Sequence, residues 1–351
     1  MKGPAIISSG WWVALAAAVV TLVVGAVLVA PLFDRAPGSS QEADFDLSDT
    51  AVPSNLIVRA MNRDGVRALV APMMIDADEV DRFNREERGK MLVPDDRVIG
   101  IEISGDARAY PLRLMRWHEV VNDVVGGEAI AVTYSPLCDS VAVFSREIEG
   151  EVVELGVSGL LYNSNTLLYD RRLGPPATPL WLQLDGRPVA GPVPGSRLQL
   201  ALRPTTLTTW ASWRARHPAT AVLAPLPEMK RLYKRDPYHS YFGSDLLRFP
   251  VDPLPPAGGL LLKDRLVIIT VDGEDAAFPL PALAAAAGTR SGSFEVAVEG
   301  LALRIQFDAD LGVADVEPLG DPDRLAAVRY SFWFTWYGLG GTTPVMIPGA
   351  G

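Results

Sequence analysis

From Val98 onward the chain alternates short apolar runs with glycine-containing turns, which is the pattern of β-hairpins. The run RVIGIEISGDARAYPL has two such stretches on either side of a Gly-Asp turn and predicts a first hairpin. AIAVTY predicts a strand, a second hairpin turns at Glu149-Gly150, and a third turns at Asp185-Gly186. The pattern therefore predicts a β-rich α+β fold of antiparallel hairpin units with few short helices.

Two segments have the end signals of short helices. Residues 111–123, PLRLMRWHEVVND, start with a proline that suits a first helical turn and are followed by Gly126-Gly127. Residues 205–220, TTLTTWASWRARHPAT, predict a second helix that ends before a proline, with His217 as its C-terminal cap. The segment DADEVDRFNREERGK is charged on almost every face and predicts an exposed helix or loop.

One hairpin occurs twice in the chain. DRVIGIEISGDARAYPL (residues 96–112) recurs as DRLVIITVDGEDAAFPL (residues 264–280), with the same Asp-Arg start, turn glycine and Pro-Leu end. Hairpins can converge on similar sequences, but the shared aromatic-Pro-Leu ending favours a duplication. The second copy continues into PALAAAAG, a short helix without polar chemistry. We therefore expect the chemistry in the first copy alone.

An uncharged apolar run extends from Trp11 to Phe33. As a helix, a run of this length is about 30 Å or more, enough to span a bilayer. A cleaved signal peptide is the first alternative, but the small-residue pair Val29 and Ala30 is followed by Pro31 and the run is long for a signal. A buried helix without a polar face is the second. We predict a transmembrane anchor that binds the lipid bilayer.

The charges around this run predict its orientation. Lys2 precedes it, and the acidic stretch QEADFDLSD follows it. The positive-inside rule then places the N-terminus in the cytoplasm and the body outside the cell membrane. The predicted organisation is a cytoplasmic tail (1–10), the anchor (11–33), a linker (34–54), a motif-bearing main region (55–250) and a β-rich C-terminal region (251–351) packed on it.

Composition narrows the function classes. The chain has 351 residues and a net charge of −10, so it has a globular composition without a basic stripe for binding nucleic acid. It contains one cysteine and therefore forms no intrachain disulfide. Gly-x-Ser-x-Gly, His-Glu-x-x-His, P-loop and dinucleotide motifs are absent from the sequence, which disfavours the corresponding enzymes.

The first candidate for chemistry is His118. On the predicted helix, Met115, His118, Glu119 and Asn122 are spaced i, i+3, i+4 and i+7 and would share one face. A histidine beside a carboxylate or amide is what a general base or a metal ligand requires, because the neighbour fixes the ring tautomer. A partly exposed polar face is the alternative interpretation.

The second candidate is the lone cysteine, Cys138, in TYSPLCDS. The preceding strand can carry Ser135 and Cys138 back toward the predicted helix, and a loop between strands is a common place for functional residues. An inert buried thiol is the alternative. Because an exposed thiol outside the cell would oxidise, Cys138 is expected to be buried, coordinated or in use.

The span from about Val98 to Tyr241 resembles an uncharacterised prokaryotic family, a domain of unknown function that often follows a signal or anchor. The resemblance is carried by the ordered motifs AYPL (109–112), HEVVND (118–123), TYSPLC (133–138), SGLLYNSN (158–165), YDR (169–171), WLQLDG (181–186), WRARHP (213–218) and DPYHSY (236–241). The family usually has Cys-Pro-Leu-Cys where this chain has Ser135 first. A dithiol–disulfide cycle within one chain is thereby excluded, and a metal would have one thiolate plus other ligands such as His118.

The matched motifs add further candidates for binding or support of the site: Glu119, Asn122, Asp123, Ser135, Asn165, Asp170, Arg171, Trp181 and Gln183. Asn165 belongs to a run of turn formers, and Asp170 and Arg171 can form a local salt bridge. Trp181 and Gln183 share one face of a predicted strand, and that face can line a pocket.

Two hypotheses of function remain open. The first is a redox-type site that depends on a metal or a thiol and consists of His118 and Cys138. A thiolate with an imidazole suits copper, zinc or iron, although the second histidine of a blue-copper site has no obvious source. The second is an anchored ligand-binding or structural module without catalysis, in which the same polar cluster captures a ligand or satisfies a buried turn.

Overall fold

The computed structural model describes residues 45–86, 90–191, 198–341 and 344. This part of the chain is rich in strands and has few short helices, which confirms the predicted β-rich α+β class. The predicted anchor, Trp11 to Phe33, lies outside the described residues. Within them, every helix is too short or too polar to cross a bilayer.

The strands β1 to β23 are Ile57–Arg59, Leu69–Val70, Met74–Asp76, Arg97–Ile103, Asp106–Pro111, Val120–Val125, Glu128–Ser135, Ser140–Ser145, Glu147–Ile148, Glu151–Val152, Leu155–Tyr162, Asn165–Asp170, Leu180–Leu182, Pro188–Ala190, Leu202–Arg203, Thr206–Thr209, Ala221–Leu223, Arg265–Val271, Glu274–Pro279, Ser291–Val298, Leu301–Asp308, Val313–Pro318 and Leu325–Phe332. The helices α1 to α6 are Ala77–Glu86, Leu112–Met115, Trp210–Arg216, His239–Phe242, Leu280–Ala287 and Trp333–Gly338. Single 3-10 turns cover Ser54–Leu56, Pro136–Cys138, Pro227–Met229 and Pro322–Arg324.

Three large sheets form the body, and β9 and β10 form a separate two-stranded sheet. Sheet I has the strand order β20-β21-β22-β16-β4-β5-β17-β3. Sheet II has the order β19-β18-β23-β8-β7-β6-β2, with β15 also paired to β8. Sheet III has the order β1-β11-β12-β13-β14. Strands from both sides of residue 250 share sheets I and II, so strand pairing links the predicted main and C-terminal regions.

Sheets I and II contain two structurally equivalent repeats. The first repeat is the hairpin β4–β5, helix α2, the three strands β6 to β8, and then β16 with α3. The second repeat is β18–β19, α5, β20 to β22, and β23 with α6. Each three-stranded unit pairs with the last strand of the other repeat, β22 with β16 and β8 with β23. The repeated hairpin in the sequence is therefore one part of a larger structural repetition.

The shared Asp-Arg start of the repeats has the same local role in both. The carboxylates of Asp96 and Asp264 each accept a backbone N–H from three residues earlier, at 2.9 and 2.8 Å. Their backbone carbonyls accept from Trp210 N and Trp333 N, both at 2.8 Å. Each aspartate thus joins the start of a hairpin to the start of the helix that follows the last strand of its repeat.

The cores on either side of sheet II explain why its central strands are buried on both faces. One face packs against sheet I in the main hydrophobic core, which includes Ile99 from sheet I and Val143 from sheet II. The other face packs against sheet III, where Phe144 meets Trp181. All six residues of β8 are buried, as expected for a strand covered on both sides.

The helix predicted over residues 111–123 is wrong beyond its first turn. Only Leu112–Met115 is helical, and Glu119 has a left-handed backbone with φ of 57° that ends any helix. Val120–Val125 is strand β6, paired antiparallel with β7. Its four valines are β-branched and suit a pleated strand, although valine also occurs in helices. His118, Glu119 and Asn122 therefore do not share a helix face.

Candidate functional site

The turn between β7 and β8 lies at the centre of the candidate site. Ser135 ends β7, the 3-10 turn Pro136–Cys138 follows, and Ser140 begins β8. Between them Asp139 is left-handed, with φ of 45°. Every residue from 135 to 140 is buried. A buried connection must satisfy its polar groups internally, and sheet III supplies many of the partners here.

Cys138 is fully buried in this turn. Its thiol donates a hydrogen bond to the backbone carbonyl of Ser164 at 3.0 Å. Burial raises the pKa of the thiol to about 12, although the side chains of Thr335, Asn165 and Ser135 offset part of that effect. The thiolate is the nucleophile and the metal ligand, so a thiol with this pKa is unreactive at neutral pH.

A small cavity of about 30 Å³ lies beside the same turn. The buried side chains of Glu119, Ser135 and Thr166 form its polar inner end, and the half-buried Met61 and Tyr238 stand at its rim. The rest of the wall is apolar and consists of Ala60, Pro136, Leu137, Val157, Gly159, Leu160 and Leu161. The cavity has room for water, and a larger guest requires the rim side chains to move.

Glu119 is the titratable group of this cavity. Its carboxylate accepts one hydrogen bond among the described residues, from the Thr166 hydroxyl at 3.1 Å. Burial raises the pKa of Glu119 from 4.5 to about 7, and the bond from Thr166 offsets only part of this. Both protonation states are therefore populated near neutral pH, as an acid–base group requires.

The hydroxyl of Thr166 connects Ser135 to this carboxylate. The Oγ1 atom of Thr166 lies 3.1 Å from Ser135 Oγ and 3.1 Å from Glu119 Oε2. Ser135 Oγ also accepts a hydrogen bond from the Thr166 backbone N–H at 3.3 Å. Because an ionised carboxylate only accepts, the Thr166 proton points to Glu119 and the Ser135 proton is free to point to Thr166.

A glycine allows the rim of the cavity to pack closely against strand β11. Gly159 has φ of 79°, and the pairing of β11 with β12 shifts register around it. Its carbonyl accepts from Ala60 N at 2.9 Å and from Met61 N at 3.2 Å. A Cβ at this position would lie 2.3 Å from the Met61 carbonyl oxygen. Only glycine therefore allows the segment of Met61 to approach β11 so closely.

Helix α4 covers the outer side of the turn. The hydroxyl of Tyr241 donates to the Leu137 carbonyl at 2.9 Å. The ammonium of Lys263 donates to the carbonyls of Tyr241 at 2.6 Å and Leu246 at 2.9 Å, which fixes the segment after the helix. Tyr238, at the rim of the cavity, immediately precedes this helix.

A chain of amides and hydroxyls joins sheet III to β7 and β8. The amide nitrogen of Gln183 donates to Thr133 Oγ1 at 2.9 Å, and Asn165 donates to Gln183 Oε1 at 3.1 Å. Ser140 also donates to Gln183 Oε1. The Asn165 carbonyl oxygen accepts from the Leu184 backbone at 3.1 Å. This network satisfies the buried polar groups and holds sheet III in register over the turn.

The comparisons with known proteins give one match. The sequence model of the family described as "Protein of unknown function (DUF3179)" matches residues 63–343. The chain belongs to this family. No curated protein and no solved structure matches this chain. The identification of an uncharacterised family from the ordered motifs is thus confirmed at the level of the family.

His118 in this DUF3179 protein is buried, and its ring is bonded to groups other than the thiol. Its Nδ1 lies 2.8 Å from the Arg67 carbonyl, and its Nε2 lies 2.7 Å from the Tyr233 hydroxyl. Because a carbonyl only accepts, Nδ1 carries the proton and Nε2 accepts from Tyr233. Burial lowers the pKa of His118, so the ring is neutral. Both ring nitrogens are occupied, and no hydrogen bond joins this ring to Cys138.

The donor set does not fit the predicted copper, zinc or iron site. The Nε2 lone pair of His118 is held by Tyr233, and the thiol of Cys138 donates to the Ser164 carbonyl at 3.0 Å. Within the described part of the DUF3179 protein, no group of three or more His, Cys, Asp or Glu side chains is arranged to hold a metal ion. A metal at His118 and Cys138 would require both side chains to leave their present partners.

Asn122 and Asp123 have structural contacts. The Asn122 amide donates to the Leu155 carbonyl at 2.8 Å and accepts from the Leu155 N–H at 2.9 Å, which joins β6 to β11. The Asp123 carboxylate accepts from Arg108 at 2.9 Å and from the Tyr110 hydroxyl at 2.7 Å. Neither side chain lines the cavity beside Glu119.

The predicted salt bridge between Asp170 and Arg171 is wrong. Asp170 pairs with Arg172 at 2.9 Å, while Arg171 pairs with Glu154 at 2.9 Å. Asp170 is the last residue of strand β12, so the next side chain points to the other face and the one after it returns. Trp181 and Gln183 do lie on one side of sheet III, where Trp181 packs in the core with sheet II.

The sequence analysis missed the charged partners of the turn. The Asp139 carboxylate binds Arg97 at 3.0 Å and Arg265 at 2.6 Å and accepts from the Tyr134 hydroxyl at 2.8 Å. Burial alone would raise the pKa of Asp139, but the two guanidinium groups lower it to about 2. Arg97 and Arg265 are the equivalent Asp-Arg arginines of the two hairpins, so the sequence repeat was the signal that could have found them.

Proposed function

We propose that this DUF3179 protein is a membrane-anchored, extracytoplasmic ligand-binding protein whose site is the cavity beside Glu119. The uncharged run from Trp11 to Phe33 and the charges around it support the anchor and its orientation. The repeated hairpin and the equivalent strand pairings support an origin of the body by duplication. The redox-type hypothesis has weaker support, because His118 and Cys138 each have other partners.

The observation that carries the proposal is the buried Glu119 carboxyl at the inner end of a cavity. Placing an ionisable carboxyl in an apolar wall costs stability, as the raised pKa of Glu119 reflects. At a purely structural position, an amide or an apolar side chain would destabilise the fold less than an ionisable carboxyl. Groups kept at such a cost in a cavity are candidates for function.

The hydrogen-bonding capacity of the cavity indicates the class of ligand. The Thr166 proton is directed to Glu119, so the free capacity at the inner end is the accepting capacity of the carboxylate. A ligand with only donors at one end and a short aliphatic body matches this end and the apolar wall. We therefore propose a small primary amine in its ammonium form, with Glu119 as the group that pairs with it and can exchange a proton.

The test uses the full chain in detergent micelles, with methylamine and ethylamine as probes in ligand-observed NMR titrations. Binding requires ionised Glu119, so the affinity should fall about tenfold per pH unit below the Glu119 pKa of about 7 and level off above it. Glu119→Gln should abolish binding at every pH. Binding of the amines that is unchanged by this substitution would overturn the proposal.

A matched control comes from the same strand pair. Glu128 lies at the start of β7 and pairs with Arg203 at the surface, at 2.6 Å. Glu128→Gln removes the same charge without touching the cavity, so amine binding should be unaffected. Methanol and ethanol serve as neutral probes of the same size, and they should bind more weakly than the amines above pH 7.

A further inference from the structure

A second cavity, of about 390 Å³, opens on sheet I and shares no lining residue with the cavity beside Glu119. In β4, Gly100 and Glu102 line it, and the side chain of Trp213 packs directly on Gly100. In β21 and β22, Gln306, Asp315 and Glu317 line it. Its volume lies within the roughly 300–1,000 Å³ of small-molecule pockets.

The repeats show why this face of sheet I is open. Gln306 and Asp315 are cross-strand neighbours in the second repeat. They occupy the positions that Thr133 and Ala142 have in the first repeat, where these two are also cross-strand neighbours. Thr133 and Ala142 are buried where sheet III covers sheet II, and Thr133 bonds to Gln183 of that sheet. The described residues place no third sheet over the corresponding positions of sheet I, and polar side chains stand there instead.

Two carboxylates of this cavity are held in place by ion pairs. Asp315 pairs with Arg216 and accepts from the Thr206 hydroxyl at 3.0 Å. Glu317 pairs with Arg304 at 3.1 Å. Asp315 is the more firmly fixed of the two, since its side chain is largely buried, and a fixed acceptor lowers the ordering cost of binding a ligand. Because the two arginines balance two of the carboxylates, the wall is close to neutral but still unfavourable for an anion.

Two other side chains of the wall have hydrogen-bonding groups without a partner among the described residues. The imidazole of His217 and the amide of Gln306 make no hydrogen bond to any described residue. His217 lies over Trp213, with ring centroids 4.0 Å apart, and burial lowers its pKa, so its ring is neutral. A neutral imidazole and an amide each offer both a donor and an acceptor.

We propose that this second cavity binds a small neutral polyol, the class that includes cyclic sugars. A hydroxyl both donates and accepts, so it can pair with the fixed carboxylates and with His217 and Gln306 at once. An ammonium group only donates and leaves the donors of His217 and Gln306 without partners. The apolar residues Pro204 and Trp213 in the wall suit the C–H surfaces of such a ring.

The test titrates the full chain in detergent micelles with D-glucose and myo-inositol, using saturation-transfer NMR and equilibrium affinity measurements. Glu317→Gln and Gln306→Ala should each weaken polyol binding about tenfold. Glu295→Gln is the matched control, because Glu295 pairs with the same Arg304 at 3.0 Å but does not line the cavity. This control should keep the native affinity.

Three results would overturn this proposal. They are no polyol binding at millimolar concentrations, equal weakening by Glu295→Gln and Glu317→Gln, or binding of putrescine in preference to both polyols. Glu119→Gln should leave polyol binding unchanged, so the outcome is independent of the amine proposal for the first cavity.

Discussion

The two repeats place a turn at equivalent positions but use it differently. In the first repeat, residues 135–140 form a buried turn covered by sheet III. In the second repeat, residues 308–313 connect β21 to β22, and Asp310 at the tip is exposed. The backbone is alike, since Asp139 and Gly312 are both left-handed, with φ of 45° and 67°. The turn therefore comes from the repeated fold, and its polar chemistry comes from the covering sheet.

The same comparison explains the ion cluster. Arg97 and Arg265 are equivalent residues of the two hairpins, and both point to Asp139. The equivalent of Asp139 in the second repeat is Gly312, where a Cβ would lie 2.5 Å from the Arg265 side chain. Two arginines thus share one carboxylate where the repeats meet. An aspartate at position 312 would collide with Arg265. The packing therefore leaves no room in the second repeat for a carboxylate equivalent to that of Asp139.

Removal of that carboxylate should have the largest effect. Asp139→Ala removes a fully buried carboxylate and leaves the partly buried guanidinium groups of Arg97 and Arg265 without their counter-charge. Arg97 Nε and Nη2 already lack partners among the described residues. Breaking a buried ion pair in this way costs about 3–5 kcal/mol. We expect the free energy of unfolding, from urea denaturation of the full chain, to fall by about this amount.

The second repeat supplies the control for this experiment. Asp310 pairs with Arg290 at 2.6 Å, and both side chains are more than half exposed. Asp310→Ala should change the free energy of unfolding by less than about 1 kcal/mol. Equal losses for the two variants would show that burial by sheet III does not distinguish the turns.

The next largest effect is the pH dependence of stability that Glu119 causes. Its equivalent in the second repeat is Gly292, which has no titratable side chain. The folded pKa of Glu119, about 7, lies above its ordinary value of 4.5, so the folded chain binds more protons between these values. Its contribution to stability is therefore greatest at low pH and is lost as the pH rises through 7. We expect urea denaturation to show a loss of about 3 kcal/mol from this group between pH 4.5 and pH 8.

Glu119→Gln should remove this slope and make the chain more stable than the native protein above pH 7. Glu128→Gln, on the neighbouring strand, should keep the native slope. If Glu119→Gln followed the native pH dependence, the Glu119 carboxyl would have to be solvated in the folded protein, which would also remove the basis for its role in the cavity.

The hairpins could be predicted from sequence because their signals are local. Glu149 and Gly150 carry the predicted turn and both have a positive φ, as two-residue hairpins require. The helix over residues 111–123 could not be judged locally, because Val120 and Val121 fit either a helix or a strand. Pairing of β6 with the distant end of β7 decided the outcome.

The site could be predicted only in part for the same reason. The sequence pointed to Glu119, Ser135 and Cys138, which do lie around one turn. Their partner Thr166 comes from sheet III, whose position depends on long-range strand pairing that no local pattern reveals. His118 is adjacent to Glu119 in sequence, but the left-handed backbone of Glu119 directs the two side chains to different partners.

The smallest expected effect on the structure comes from a test of the Cys138 thiol. This test gives the sharpest contrast between the two turns, because it compares the reactivity of a thiol in each. Cys138 occupies the position that Leu311 has in the second repeat, where the side chain is only half-buried. With a pKa of about 12, Cys138 should react with a thiol reagent at pH 8 at least about a hundredfold more slowly in the folded chain than in urea.

A cysteine moved to the other turn tests whether the covering sheet is the cause. Leu311→Cys in a Cys138→Ala background has the same turn geometry without sheet III above it, so it should react much faster than Cys138 in the folded chain. Folded Cys138 that reacts as fast as Leu311→Cys would contradict this prediction. It would mean that the first turn opens and exposes its thiol, as a site with thiol chemistry requires.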